Sequence, residues 1–406
     1  MQMLDDIKVL DLTANVAGPS ATAIFTDYGA RVIHIEAQTG DSARTYAPFI
    51  DGKGMTHGWV NRGKQSLVMD LKDPRAVEVI KKLAADCDVF VEGYRPGVIS
   101  RLGLGYDVIK EINPKVIYCH VSAFGQTGPY AHKPGFDLMG QALSGMISVT
   151  GEKGGRPIKH GVTIADYEAG PNTYAAIMTA LHYQRRTGIG QEIDCSLLNG
   201  MIYLNSPIDR LNDGVVVKPN GGHHSALCPF GGFFNDKNEG VIICAPNPKA
   251  WETVAKAMNR PDMLTDPKYA TVNVRAKYQE EIIAEIEAWL SSFPNMAAAI
   301  EHMEKFGVPC CRINTTEDVV NDPQVKHMGF IVNAPTQDDV TTQDDVTTQD
   351  TFLTRGPFAQ FSELPGEIHK APTLGQHTRQ ILEELGYPEN EIADMLEAWK
   401  PNGDKI

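Results

Sequence analysis

The chain has 406 residues, 42% apolar and 22% charged, enough for a substantial core and more than one average domain. Its formal net charge of −14 excludes a broad basic field for nucleic acid or an anionic membrane surface, though not a local basic pocket. The N-terminus MQMLDDIKVLDL lacks a basic region followed by an apolar stretch, and no apolar run reaches the roughly 18 residues of a membrane span. The seven cysteines are scattered without a C-x-x-C pair, so a cytoplasmic protein with reduced thiols, no metal site and no membrane or nucleic-acid partner is expected.

In the first half, β-branched runs alternate with helical stretches. KVLDL (8–12) reads as a buried strand, and GPSATAIFTDYGA follows as a helix with Pro19 in its first turn and Gly29 at its stop. RVIHIE (31–36) is a second strand, DPRAVEVIKKLAADC (73–87) a helix, DVFVEGY (88–94) a third strand, and KVIYCHVSAF (115–124) a fourth. This spacing predicts βαβ units on a parallel sheet, an α/β and Rossmann-like fold. The turn after the first strand reads TANVAGP, without the G-x-G-x-x-G fingerprint, so a dinucleotide-binding dehydrogenase is disfavoured. From 206 the texture becomes rich in Gly, Pro, Asn and His, as in a linker (206–224). GFFNDKNEGVIICA then reads as a hairpin, and helical stretches at 248–258, 273–291 and 295–306 complete a smaller α+β domain over 225–325. A second linker is expected over 326–352; it holds a tandem TQDDVT duplication to which no function is assigned. The tail, APTLGQHTRQILEELGYPENEIADMLEAW, is helical, with Gly386 closing its first helix.

One acidic residue stands out. In NTYAAIMTALHYQRRTG, Tyr174, Ile177, Met178 and Leu181 fall at i, i+3, i+4 and i+7, one face of a helix, and Asp166 lies just ahead. On local pattern it is a helix-capping acid, favoured by free N–H groups and the helix dipole; whether it also does chemistry stays open at this level.

Five stretches in the same order carry a resemblance: VLDLTANVAGPSATAIFTDYGARVIHIEAQTGD, NRGKQSLVMDLKDP, the long block from VEGYRPG to ALSGM, IADYEAG…RRTGIGQEIDCSLL, and APTLGQHT…ILEELGY. Together the chain resembles the family III CoA-transferases, the group that includes formyl-CoA transferase and carnitine CoA-transferase. The match is strong over about 1–200 and 365–390 and loose over 225–330. The resemblance implies that Asp166 is a nucleophile that takes up acyl groups, with helix-start N–H groups keeping it ionised. It places coenzyme A against Val16 and Ala17, Met69 to Lys72, Gly93, Tyr94, Arg95 and Arg101. Glu36 is followed by Ala37 and Gln38 where the family often has an Arg; Lys133 is the candidate replacement. Phe136 and Asp137 are also placed among the coenzyme A contacts, with Asp137 expected to position Asp166 or the acyl group. The partners implied are an acyl-CoA and a carboxylic acid, with coenzyme A thioester as substrate and no further cofactor. A large CoA-binding domain built from both ends of the chain (1–205 and 330–406) is implied, in an interlocked homodimer, with NGGHHS (Gly221, Gly222) a candidate lid. α-Methylacyl-CoA racemases pair the aspartate with a histidine in a GHD segment; here the segment is PGFDLMG, and Phe136 cannot carry a proton. A racemase and a non-catalytic CoA-binding protein are the alternatives.

Overall fold

In the computed structural model, which describes residues 2–50, 52–335 and 351–402, β1 (Lys8–Leu12) leads into helix α1 (Ala17–Asp27) and β2 (Arg31–Glu36). Gly29 closes the α1–β2 turn at φ +95°, a left-handed conformation that side chains resist. Helix α2 (Met55–Val60) precedes β3 (Gln65–Val68), and α3 (Pro74–Ala84) starts at Asp73, whose carboxylate caps the Arg75 N–H, with Pro74 in the first turn. β4 (Val89–Glu92), α4 (Tyr106–Ile112) and β5 (Ile117–Ser122) follow. Helices α5 (Asp137–Leu143) and α6 (Ile164–Thr187), then β6 (Gln191–Ser196) and α7 (Leu197–Leu204), complete the first half.

All six strands run parallel in the order β3-β2-β1-β4-β5-β6. The strand order therefore reverses between β1 and β4, where an open α/β sheet leaves a crevice at its carboxyl edge. Side chains alternate between two cores. Leu10, Leu12, Ile33, Ile35, Leu67, Phe90 and Tyr118 pack against α3, α4 and the C-terminal helices α8 (Thr378–Glu384) and α9 (Glu389–Ala398). Val9, Val32, Val89, Val91 and Ile117 pack against Phe25 of α1 and Ile177 and Leu181 of α6. β3 and β6, absent from the strand-by-strand sequence reading, are the two edge strands. β6 is mostly exposed along its length, so it lacks the apolar run that betrays a central strand.

The chain divides into two compact units: Met1–Met146 with His160–Asn205 and Gln324–Ile406, and Ile147–Lys159 with Ser206–Pro323. Residues 206–224, expected as a linker, thus belong to the second unit, as does 147–159. Within that unit a three-stranded antiparallel sheet, order Cys310–Arg312, Gly240–Cys244, Phe230–Phe234, packs on helices Pro248–Ala257, Gln279–Leu290 and Met296–Lys305. The stretch expected as one helix over 273–291 is two, Val272–Lys277 and Gln279–Leu290, parted at Tyr278. The candidate lid is tied down there: Gly221 donates to the Gly151 carbonyl and Gly232 to that of Gly222, both 2.9 Å. In the first unit, part of the second expected linker is instead an antiparallel pair, Ile331–Pro335 with Thr351–Arg355; the TQDDVT duplication lies outside the described residues. No helix among the described residues is long and apolar enough to cross a membrane.

The C-terminal segment is core material. Trp399, 1% exposed, packs in the cluster beneath α3 and donates its indole N–H to Asp73 at 3.0 Å. Trp399→Ala should therefore cost about 3–5 kcal/mol, read as a lowered urea midpoint; a loss below about 1 kcal/mol would show the segment to be peripheral.

Candidate active site

The turns leaving β1 and β4 open onto a cavity of about 340 Å³ at the switch point, lined by Asn15, Val16 and Ala17 after β1, by Gly93, Tyr94 and Arg95 after β4, and by Tyr46, Lys133, Phe136, Asp166 and Leu197. Buried charge fixes these turns. Asp11, at the end of β1, accepts from the Thr13 N–H (2.9 Å), the Thr22 hydroxyl (2.6 Å) and the Lys64 ammonium (2.9 Å), all within the interior. His34 lies 3.2 Å from Asp11 and 3.6 Å from Asp41; neither contact has hydrogen-bond directionality, so charge holds the ring. Burial alone would lower its pKa, but the Asp11 carboxylate outweighs it and raises the imidazole to about 9. Asp41 in turn accepts from the Asn15 and Ala43 N–H groups (3.0 and 2.9 Å), and Asn15, at φ +71°, accepts from the Tyr46 hydroxyl (2.8 Å). On the other side, buried Glu92 accepts from the Tyr94 N–H at 2.7 Å and is paired to His120, which also contacts Glu192 at 2.9 Å. Burial, with the charges of Glu92 and Asp11, raises the Tyr94 hydroxyl to about 12, so it stays a donor.

Asp166 is the third residue of α6 and half-buried. It does not cap the helix. Asp137, at the start of α5 and 4% exposed, is the capping group. One of its oxygens accepts from the Ala165 and Asp166 N–H groups (2.7 and 3.3 Å) and the other from the Gln141 amide at 2.6 Å. Close approach of α5 to α6 depends on Gly140, where a Cβ would meet that of Ala165 at 3.2 Å. The Asp166 carboxylate itself accepts no hydrogen bond among the described residues. Burial, then the neighbouring Asp137 charge, raises its pKa to about 7. The expectation that the helix start keeps Asp166 ionised is therefore corrected: two of those N–H groups are spent on Asp137, whose charge works the other way.

The structure brings Val16, Ala17, Gly93, Tyr94, Arg95, Lys133, Phe136 and Asp166 to one cavity, with Asp137 directly behind. Arg95 and Lys133 are exposed and have no acidic partner among the described residues; Lys133 sits 4.0 Å over the Tyr130 ring. Three expected contacts do not line it. Met69 is fully buried in the core beyond β3, while Lys72 and Arg101 are exposed outside the cavity. Asn15, Tyr46 and Leu197 were missed. Asp11 in KVLDL and His34 in RVIHIE were the available signals, since a charged residue inside an apolar strand must find buried partners.

A parallel sheet in 3-2-1-4-5-6 order, with a partly desolvated carboxylate facing a cation-rimmed crevice, defines an α/β enzyme handling an anionic small molecule. Residues 4–378 match the model for CoA-transferase family III, and the chain belongs to that family. It is 35% identical over 413 residues to the mouse (Mus musculus) succinyl-CoA:glutarate CoA-transferase, covering 98% of this chain and 89% of that protein. It is 32% identical over 404 residues to the succinyl-CoA–D-citramalate CoA-transferase of Chloroflexus aurantiacus, covering 97% of each. The crystal structure of a CAIB/BAIF family protein from Brucella suis superposes with a TM-score of 0.79 at 30% identity, covering 95% of this chain and 99% of that one.

A carboxyl group with its folded pKa raised to about 7 binds its proton more tightly than in the unfolded chain. Its charge therefore weakens the fold fully above pH 7, and not at all below about pH 4. Asp166→Asn should accordingly raise unfolding stability by about 1–3 kcal/mol at pH 8 and leave it nearly unchanged at pH 4, measured by urea denaturation at both.

Proposed function

We propose that the chain moves coenzyme A from an acyl-CoA to a carboxylic acid with Asp166 as covalent nucleophile. The observation that carries this is a half-buried carboxylate without hydrogen-bond donors, set at the carboxyl edge of the switch point. Its raised basicity favours attack on a thioester, and the reaction requires that water be kept from the anhydride. An Asp166 oxygen adds to the thioester carbonyl; the C–S bond breaks, releasing coenzyme A thiolate and leaving a mixed anhydride. The thiolate attacks the aspartyl carbonyl, breaking the anhydride C–O bond, so that the donor acid departs and an aspartyl-CoA thioester remains. The acceptor carboxylate attacks this thioester, expelling the thiolate, which then takes the acceptor acyl group and frees Asp166. Asp137 keeps the start of α6 in place and holds the nucleophile's basicity up.

Arg95 and Lys133 supply charge for the coenzyme A phosphates, and the Tyr94 hydroxyl a donor. No metal or redox cofactor takes part in this scheme. The named acids of the relatives, glutarate and citramalate, support a dicarboxylic acid as one partner. A homodimer is supported by the apolar residues that α5 and α7 leave exposed, among them Leu138, Met139, Leu143 and Tyr203, the last 83% exposed.

Asp166→Ala should lower transfer by on the order of 10⁴-fold or more while coenzyme A still binds. Hydroxylamine added during turnover should leave a hydroxamate on residue 166, seen by mass spectrometry; product formed without that mark refutes the mechanism. Because the ionised carboxylate attacks, kcat/KM for the acyl-CoA should fall as pH drops through about 7. Asp137→Asn, which keeps an oxygen for the N–H groups but removes the charge, should move that inflection to lower pH; an unmoved inflection excludes Asp137 as the cause. Exchange of α-protons with solvent in place of CoA transfer would instead mark a racemase.

A further inference from the structure

The strand Thr351–Arg355 docks on α2 through Phe352, whose ring lies so near Gly58 that a Cβ there would come within 3.0 Å. Docking carries the Arg355 guanidinium over two aromatic faces, 3.6 Å from the centroid of Trp59 and 4.8 Å from that of Tyr167. These rings meet edge to face at 5.3 Å and pack with Val16. Tyr167 directly follows Asp166 on α6, and Val16, which packs on both rings, lines the cavity; the aromatic wall thus adjoins the cavity behind Val16 without itself lining it.

Two groups on the wall are unspent. Nearby Arg44 and Arg62 are consumed by Glu36 and Asp27, but Arg355 is exposed with no acidic partner among the described residues. The Trp59 indole N–H is buried and makes no hydrogen bond among the described residues. A guanidinium whose face is covered by rings keeps its in-plane fork of N–H donors free, the geometry that takes a carboxylate through two parallel hydrogen bonds. A dianionic acid also has to approach a pair of carboxylates, Asp166 and Asp137, so an uncompensated cation on the adjoining wall would offset the repulsion. Arg95 and Lys133 are unpaired too, but they rim the strand-end side already assigned to coenzyme A phosphates.

We propose that Arg355, backed by Trp59, is the specificity determinant that receives the second carboxylate of a dicarboxylic acid whose first carboxylate reacts at Asp166. This rests on the CoA-transfer reading and names the acid it selects. Its test compares glutarate with pentanoate, of equal chain length but one charge, as acceptors from acetyl-CoA, in wild type, Arg355→Met and Arg355→Lys. Arg355→Met should raise KM for glutarate about 10–100-fold with little change in kcat, and cut the preference for glutarate over pentanoate by the same factor. Arg355→Lys, which keeps the charge without the fork, should fall between. An unchanged glutarate KM in active Arg355→Met, or equal losses for both acids, overturns the proposal and leaves the transferase reading standing. A wild-type enzyme that passes coenzyme A to neither acid overturns both.

Discussion

The carboxylate of Asp137 on the first N–H groups of α6 is the contact on which the site depends. A helix start normally satisfies a carboxylate and holds it ionised. Here a second acid, delivered from α5, occupies that place and leaves Asp166 beside it, desolvated and repelled. A capping carboxylate and a carboxylate with raised pKa thus meet at the same helix end, on two residues 29 positions apart in the chain. The division costs stability, as active sites commonly do.

The crevice around this pair follows from topology, but its precise walls follow from buried charge. The reversal of strand order separates the turns after β1 and β4; it does not by itself say where their backbones run. Asp11, His34, Asp41 and Lys64 fix one turn and Glu92 with His120 the other, in each case through a carboxylate that accepts the N–H of a turn residue. Buried ion pairs contribute little net stability once desolvation is counted. Their use here is positional: two flexible turns are stitched to rigid strand ends beside the ligand cavity.

Membership of CoA-transferase family III accords with this arrangement, because an acyl-CoA brings phosphates that exposed cations at the crevice can meet. The aromatic wall of Trp59 and Tyr167 with Arg355 over it is a different kind of feature. It draws on a strand more than 180 residues away from Asp166 in the chain.

Sequence alone determined the parallel α/β layer, because the central strands VLDL, VIHI and VFV are buried on both faces and read as apolar runs. The resemblance carried by five motifs in order singled out Asp166 as the expected nucleophile, which local pattern left open. The edge strands stayed hidden because an edge strand such as QEIDCS needs no such run. Tertiary structure decided the rest. Which acid caps α6 depends on the close packing of α5 permitted at Gly140, and the cavity's Tyr46 comes from a loop and its Leu197 from the first turn of α7, places that no local pattern marks as a ligand site. Met69 shows the converse: the resemblance placed it at coenzyme A, whereas its side chain, just past the end of β3, lies in the core. Strand and helix follow from patterns within a few residues, whereas pKa, capping and cavity walls are set by groups that only folding brings together.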